Sequence, residues 1–289
     1  MGRWRQRLAL GFGGAILLLL CLWGARTVRT VDNYADPRGP MFRGDYAAVV
    51  PSFDGQVQVV SWNIRYGEGV ETAVTELRQN PNLRRADVLL LQEMDENGVA
   101  QIAQSLAFNY VYFPASVHSH HGRNFGNAIL SPWPLSQPEK VLLPYANPSN
   151  AQRRIAAKAV ATIGGAPLVV YSAHTETYWL GRRGRSAQAA ALAAALPLGE
   201  TAVIVGGDFN TITPVDVIRL AGQFTAVGLE RASAVAGPTV AVAGINVAAD
   251  HIFARALPVL ATGVEETAVS DHRPVWVTLA WSAGQFADD

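Results

Sequence analysis

Eight residues have the types and positions to act together on one substrate: Asn63, Glu93, His174, Asp208, Asn210, Asp250, Asp271 and His272. Asn63 follows the apolar run Val57 to Trp62, Glu93 follows Asp87 to Gln92, and His174 follows Leu168 to Ala173. Asp208 comes after Thr201 to Val205 and the Gly206-Gly207 pair, and Asp271 and His272 stand just before the last apolar run, Pro274 to Trp281. A single polar residue at a strand end is ordinarily a turn former. Acids, amides and histidines at six such ends are harder to explain that way, because strand ends of layered α/β folds converge on one rim.

These residue types suit hydrolysis of a phosphate ester, which needs phosphoryl charge neutralised, a water aimed in line and a leaving oxygen stabilised. Glu93, Asp271 and Asn63 offer hard oxygen ligands for a divalent metal. Asp208 and Asn210, two apart across Phe209, can activate and orient the water. His174 and His272 can donate to the phosphoryl group and exchange protons near neutral pH.

Short apolar runs alternate with amphipathic ones from Gln56 onward. Helices are expected over Val70 to Gln79, Asn97 to Leu106, Ser186 to Leu196 (stopped by Pro197) and Val215 to Leu220. Strands are expected over Tyr110 to Phe113, Asn127 to Ser131, Arg154 to Thr162, Ala249 to Ala254 and Val259 to Gly263, besides those ending at the eight residues. Strands that both alternate with helices and follow one another imply mixed sheets with helices outside.

At these residues the chain resembles the endonuclease/exonuclease/phosphatase superfamily. The matching segments run in the family's order: Ser61-Trp62-Asn63-Ile64, Leu91-Gln92-Glu93, Gly126 to Ser131, Ser172-Ala173-His174, Gly206 to Asn210, Asp250-His251-Ile252-Phe253 and Ser270 to Pro274. The resemblance implies a four-layer α/β/β/α sandwich with two mixed sheets over roughly Gln56 to Trp281. It implies Mg2+, or alternatively Mn2+, on Glu93 with Asn63 and Asp271, water activation by Asp208 and Asn210, and Asp250 orienting His272. It also brings Asn127 toward the substrate and gives His174 as the second histidine. Arg65 departs from the family, standing where several nuclease members carry a metal-holding acid.

Formal net charge is zero, so no global positive field draws the chain to nucleic acid. Arg182, Arg183 and Arg185, expected on a loop beside Tyr178, Trp179 and Leu180, are candidate substrate contacts for phosphates, bases or a membrane interface. His118, His120 and His121 are expected to form an exposed turn rather than a metal site, and His251 to be structural. The lone cysteine, Cys21, excludes an intrachain disulfide and a cysteine-built metal site.

Arg3, Arg5 and Arg7 precede an uncharged run from Leu8 to Ala25. As a helix that run rises ~27 Å, near the ~30 Å of a bilayer core. A retained anchor over residues 1–26 is favoured over a cleaved signal, whose apolar region is usually shorter. The charge bias then favours a catalytic domain outside the cytoplasm. Residues 27–55 are expected as linker, 56–282 as the catalytic domain and 283–289 as a tail. The function expected is hydrolysis of a phosphodiester or phosphomonoester, on a phospholipid headgroup or small phosphoester, with no protein partner implied. An extracytoplasmic nuclease and a membrane-tethered binding module without chemistry are the alternatives.

Overall fold

The computed structural model describes residues 31–281 apart from His120 and Glu200. The expected anchor over residues 1–26 and the tail over 283–289 lie outside the described residues, and no described helix is long and apolar enough to cross a membrane. The strands, in chain order, are β1 (Phe42–Gly44), β2 (Gln56–Asn63), β3 (Val88–Met94), β4 (Asn109–Val117), β5 (Asn124–Ser131), β6 (Leu135–Ala146), β7 (Arg153–Ile163) and β8 (Ala166–His174). They continue with β9 (Val203–Asp208), β10 (Glu230–Arg231), β11 (Val240–Val242), β12 (Ile245–Val247), β13 (Asp250–Arg255), β14 (Val259–Val264) and β15 (Val275–Ala280). The helices are α1 (Val70–Gln79), α2 (Glu96–Leu106), α3 (Gly181–Ala194) and α4 (Pro214–Thr225).

Two mixed sheets form, a seven-stranded one in the order β1-β4-β5-β3-β2-β15-β14 and a six-stranded one in the order β10-β13-β9-β8-β7-β6. Each holds one parallel pair, β2 with β3 and β8 with β9, among antiparallel neighbours. Alternation along the strands sends Val57, Val59, Leu90 and Ile129 of one sheet against Ala157, Leu168, Val170, Ile204 and Ile252 of the other. The opposite faces are covered by helices. α1 and α2 pack on the first sheet through Val74, Leu77, Val99 and Ile102, and α3 and α4 on the second through Ala189, Leu192, Leu220 and Phe224. Asp95 caps α2 by accepting from Gly98 N at 2.7 Å, and Thr213 caps α4 ahead of Pro214 by accepting from Asp216 N.

Residues 31–50 and strand β6 depart from the sequence expectation. Residues 31–50, expected as linker, join the first sheet: β1 pairs with β4, and Asn33 bridges to Ser116. Buried Lys140 holds this segment by donating to the carbonyls of Tyr34 and Gly39. Strand β6 has no counterpart among the expected strands because Pro138 and Pro144 interrupt it and its register shifts twice, which an edge strand tolerates.

Gly206 and Gly207 stand where there is no room for a side chain. A Cβ on Gly206 would stand 2.6 Å from the Leu90 side chain across the interface. On Gly207 it would stand 1.8 Å from the carbonyl oxygen of Ala173 in the neighbouring strand. Gly206→Ala should therefore cost about 1–3 kcal/mol, as overpacking that Leu90 can partly relieve. Gly207→Ala meets backbone that cannot move aside and should cost more. Urea melts of the two variants check the order, and equal losses would contradict it.

Candidate active site

Register does most of the positioning. His174 and Asp208 end the parallel strands β8 and β9 directly opposite one another, and Asp250 opens β13 opposite Asp208. Asn63 ends β2 in the facing sheet and donates from Nδ2 to Asp208 Oδ2 at 3.0 Å. The turn bearing His272 is tied to β2, since Ser270 Oγ donates to Asn63 O at 2.7 Å and Trp62 Nε1 donates to His272 O at 3.0 Å. Polar bonds lock the sheets just behind the site. Gln92 Nε2 donates to Ser172 Oγ at 3.0 Å, and Asn127 Nδ2 donates to the carbonyls of Ile155 and Ser172. Asn127, expected near the substrate, therefore spends its amide on joining the two sheets.

Around Asp208 the geometry is tight. His174 Nε2 lies 3.4 Å and His272 Nε2 3.8 Å from Asp208 Oδ2, and Asn210 N donates to Asp208 Oδ1 at 2.8 Å. His272 Nδ1 is 2.8 Å from Asp250 Oδ2, a His–Asp pair. Asn210 Nδ2 donates to the Thr175 carbonyl at 3.0 Å, so its side chain is anchored at the rim. Glu93 sits at a register shift in β3 with φ of 62°, and Asn210 has φ of 50°. Left-handed backbone costs of order 1–3 kcal/mol at residues other than glycine and collects at functional sites.

Burial sets the proton affinities. Asp208 is pushed up to about 7 by burial and by the Asp250 charge, against the pull of His272. Burial also raises Glu93, with Arg154 opposing it. His272 resists its own burial through Asp250, Asp208 and Asp271 and is carried to about 11. His174 is held well below 6.5 by burial, Arg154 and His272. One imidazole is thus a neutral donor or acceptor while the other is a cation.

The donor set fits a hard divalent cation. Asn63 Oδ1 and Asp250 Oδ1 are buried oxygens with no hydrogen-bond partner, and Glu93 accepts from Tyr66 N at 3.2 Å. Asp271 is exposed, and it and Glu93 both act on the Tyr66 phenol, which burial raises first. Among the described residues, Asp208, Asp250 and His272 are the acids and histidine whose ligand atoms lie within 4.8 Å of one another. Because His272 is already bonded to Asp250, we take this group as a proton-handling pair beside Asp208. The oxygens of Asn63 and Glu93 remain the better cation ligands.

The arginines expected on a loop lie on a helix, because Tyr178–Leu180 form one 3-10 turn and α3 begins at Gly181. Arg182 and Arg185 pair with Asp216 of α4 at 3.0 and 3.5 Å, while Arg183 is exposed. Arg65 is exposed in the turn after Asn63. His118 is buried rather than exposed, stacked with His121 at 4.4 Å and beside Tyr66 at 4.7 Å; His120 lies outside the described residues. His251 is buried, bonded to Thr211 Oγ1 at 2.8 Å and packed by Phe209 and Phe253.

Arg154, and Glu176 with it, is the part of the site that strand-end reasoning does not isolate. Arg154 is buried, its Nη1 3.2 and 3.3 Å from the two ring nitrogens of His174, and it forms an ion pair with buried Glu176. The available signal is Glu176 two residues after His174 in one polar stretch, His174-Thr175-Glu176-Thr177.

The comparisons with known proteins bear on this geometry. The sequence profile of the Endonuclease/Exonuclease/phosphatase family matches residues 60–272, which hold all eight rim residues, and the chain belongs to that family. Its members are phosphoric ester hydrolases, so the chain is assigned to that enzyme class. The fold is similar to an endonuclease/exonuclease/phosphatase from Beutenbergia cavernae (TM-score 0.65, 21% identity, covering 79% of this chain and 72% of that one). It is also similar to a family protein from Leptotrichia buccalis (TM-score 0.61, 16% identity, 76% and 98% covered). A third similar structure is D. rerio TDP2 complexed with a single-strand DNA product (TM-score 0.60, 18% identity, 78% and 99% covered). No curated protein matches the chain.

Two expectations follow. Arg154→Met leaves Glu176 buried without its partner and should cost about 3–5 kcal/mol. Adding Glu176→Leu should return much of that loss in thermal melts; no recovery would mean the pair does not act as a unit. His251 is held down to about 3 by burial, so the unfolded chain takes up a proton below about 6.5 that the folded chain refuses. Stability then falls with pH from about 6.5 to about 3, at up to about 1.4 kcal/mol per unit for this group. His251→Gln keeps a donor to Thr211 and should flatten that slope in urea titrations run with a chelator.

Proposed function

We propose that this protein hydrolyses a phosphodiester or phosphomonoester by direct attack of water, with Mg2+ or Mn2+ as cofactor. The observation that carries this reading is the buried convergence of Asn63, His174, Asp250 and His272 on Asp208. Glu93, with Asn63 Oδ1 and Asp271 beside it, would hold the cation, which when bound would supply Lewis-acid polarisation of the phosphoryl oxygens and support for the leaving oxygen. Asp208, whose affinity for a proton lies near neutral pH, takes the proton of the attacking water, and Asn210 fixes its position. His272, oriented and charged by Asp250, donates to the phosphoryl group and protonates the leaving oxygen. His174, neutral beside Arg154, contributes a further donor.

Zero net charge supports a phospholipid headgroup or small phosphoester as substrate, as does an uncharged run, Leu8 to Ala25, suited to anchoring an extracytoplasmic domain. A nuclease is the second reading, favoured by exposed Tyr178 and Trp179 beside the site, whose rings are 5.0 Å apart. A binding module without chemistry would be expected to lack some of the eight rim residues, and all eight are present.

Glu93→Gln should lower turnover of bis-p-nitrophenyl phosphate by about 10²-fold or more, as for loss of an electrostatic stabiliser. A chelator should abolish turnover and added Mg2+ or Mn2+ restore it. Undiminished turnover in either experiment removes the metal assignment. Anionic and choline lipids tested beside plasmid DNA separate the substrates; cleavage of DNA alone makes the protein a nuclease.

A further inference from the structure

The catalytic rim is also where the chain enters the described fold. β7 begins at Arg153 and runs antiparallel to β8, so the turn joining β6 to β7, residues 147–152, lies level with His174. Asn147 of that turn donates to Glu176 Oε1 at 3.0 Å. Val31 N donates to Asn150 O at 3.1 Å, Asn33 Nδ2 to Ala151 O at 2.9 Å, and Arg153 N to Asn33 Oδ1 at 2.8 Å. Residues 31–33 are thereby fastened to the rim and not to the far end of the sheets.

Only Arg26 to Thr30 separate Val31 from the uncharged run Leu8 to Ala25. Even fully extended, that connection reaches about 20 Å, at ~3.3–3.6 Å per residue. A bilayer holding Leu8 to Ala25 therefore lies within that reach of the rim.

Among the described residues, the aromatic side chains more than half exposed gather at the same rim, whereas the exposed aliphatics are spread more widely, with Leu198 and Leu260 at the far end. Trp179 and Tyr178 are 60% and 55% exposed just beyond His174, and Tyr145 is 59% exposed at the end of β6. On the other flank, Ile245 is 68% exposed in the β11–β12 hairpin, which bridges to His272 through Val240. Exposed Arg153 and Arg183 stand among them. Ring side chains with a wet edge beside arginines are the composition that settles at a lipid–water interface of anionic charge. At the opposite end of the sheets, Val49 is exposed near Ala47, whose N–H donates to Asn109 at the start of β4.

We infer that this rim docks on the surface of an anionic phospholipid bilayer, the one entered by residues 8–25, so that the active-site mouth faces the lipid headgroups. The inference rests on the reading of Leu8 to Ala25 as an anchor and narrows the substrate to a phosphoester presented at a membrane surface. Two tyrosines, a tryptophan and an isoleucine then leave water together, while the arginines meet lipid phosphates.

The test uses the full chain in phosphatidylcholine–phosphatidylglycerol vesicles carrying doxyl-labelled lipid. Cys21→Ser removes the single native thiol, and a fluorophore is attached at Trp179→Cys or, separately, at Val49→Cys. Quenching severalfold stronger at position 179 than at 49, and reduced in vesicles of phosphatidylcholine alone, is the expected result. Equal quenching at the two positions overturns it. So does a label at 179 that responds to a single-stranded oligonucleotide and not to vesicles, which would make the surface one for nucleic acid. Sedimentation with vesicles after a carbonate wash reports the anchor separately, and turnover of bis-p-nitrophenyl phosphate reports the chemistry. Firm sedimentation and normal turnover without quenching at 179 would sink the docking surface alone.

Discussion

Everything in the site depends on Asp208, a carboxylate buried where two sheets meet. Three strands of one sheet bring His174, Asp208 and Asp250 level by register, and the facing sheet supplies Asn63. Gly206 lets the facing sheet approach, since a Cβ there would meet Leu90, and Gly207 lets the strand bearing His174 lie against the strand bearing Asp208, since a Cβ there would meet the Ala173 backbone. The Gly-Gly-Asp sequence is therefore one device: a residue that admits the facing sheet, a residue that admits the neighbouring strand, then the group whose environment both create.

Burying a carboxylate has consequences for its neighbours. Removing water raises its proton affinity and strengthens every charge interaction around it. The protein answers with His272, made a cation by Asp250, and with Arg154, itself balanced by Glu176. Uncompensated oxygens on Asn63 and Asp250, and left-handed backbone at Glu93 and Asn210, remain. A site that stays partly unsatisfied by its own protein is suited to binding something else, and oxygen donors suit a hard cation.

The elements least legible in the sequence lie at edges. Strand β6 alternates poorly and holds prolines, since an edge needs no complete ladder, and residues 31–50 carry no periodic apolar face but are held in part by buried Lys140, which donates to the carbonyls of Tyr34 and Gly39. The arginines after Leu180 look like loop residues from their polarity. On α3 they lie against α4, where Asp216, 34 positions beyond Arg182, pairs with both Arg182 and Arg185.

The order of polar residues at the ends of apolar runs was legible in the sequence, because strand alternation and burial leave a local pattern. That pattern was enough to suggest the reaction class and six of the eight rim residues; Asp250 came through family resemblance, and Asn210 through its spacing from Asp208. Only the tertiary structure decided how those residues divide. Asn127 joins the sheets, His251 is core, and Arg154 enters the site through a contact with His174, 20 positions away along the chain. Such roles depend on which strands lie side by side and how closely two sheets approach, and neither leaves a mark in the local sequence.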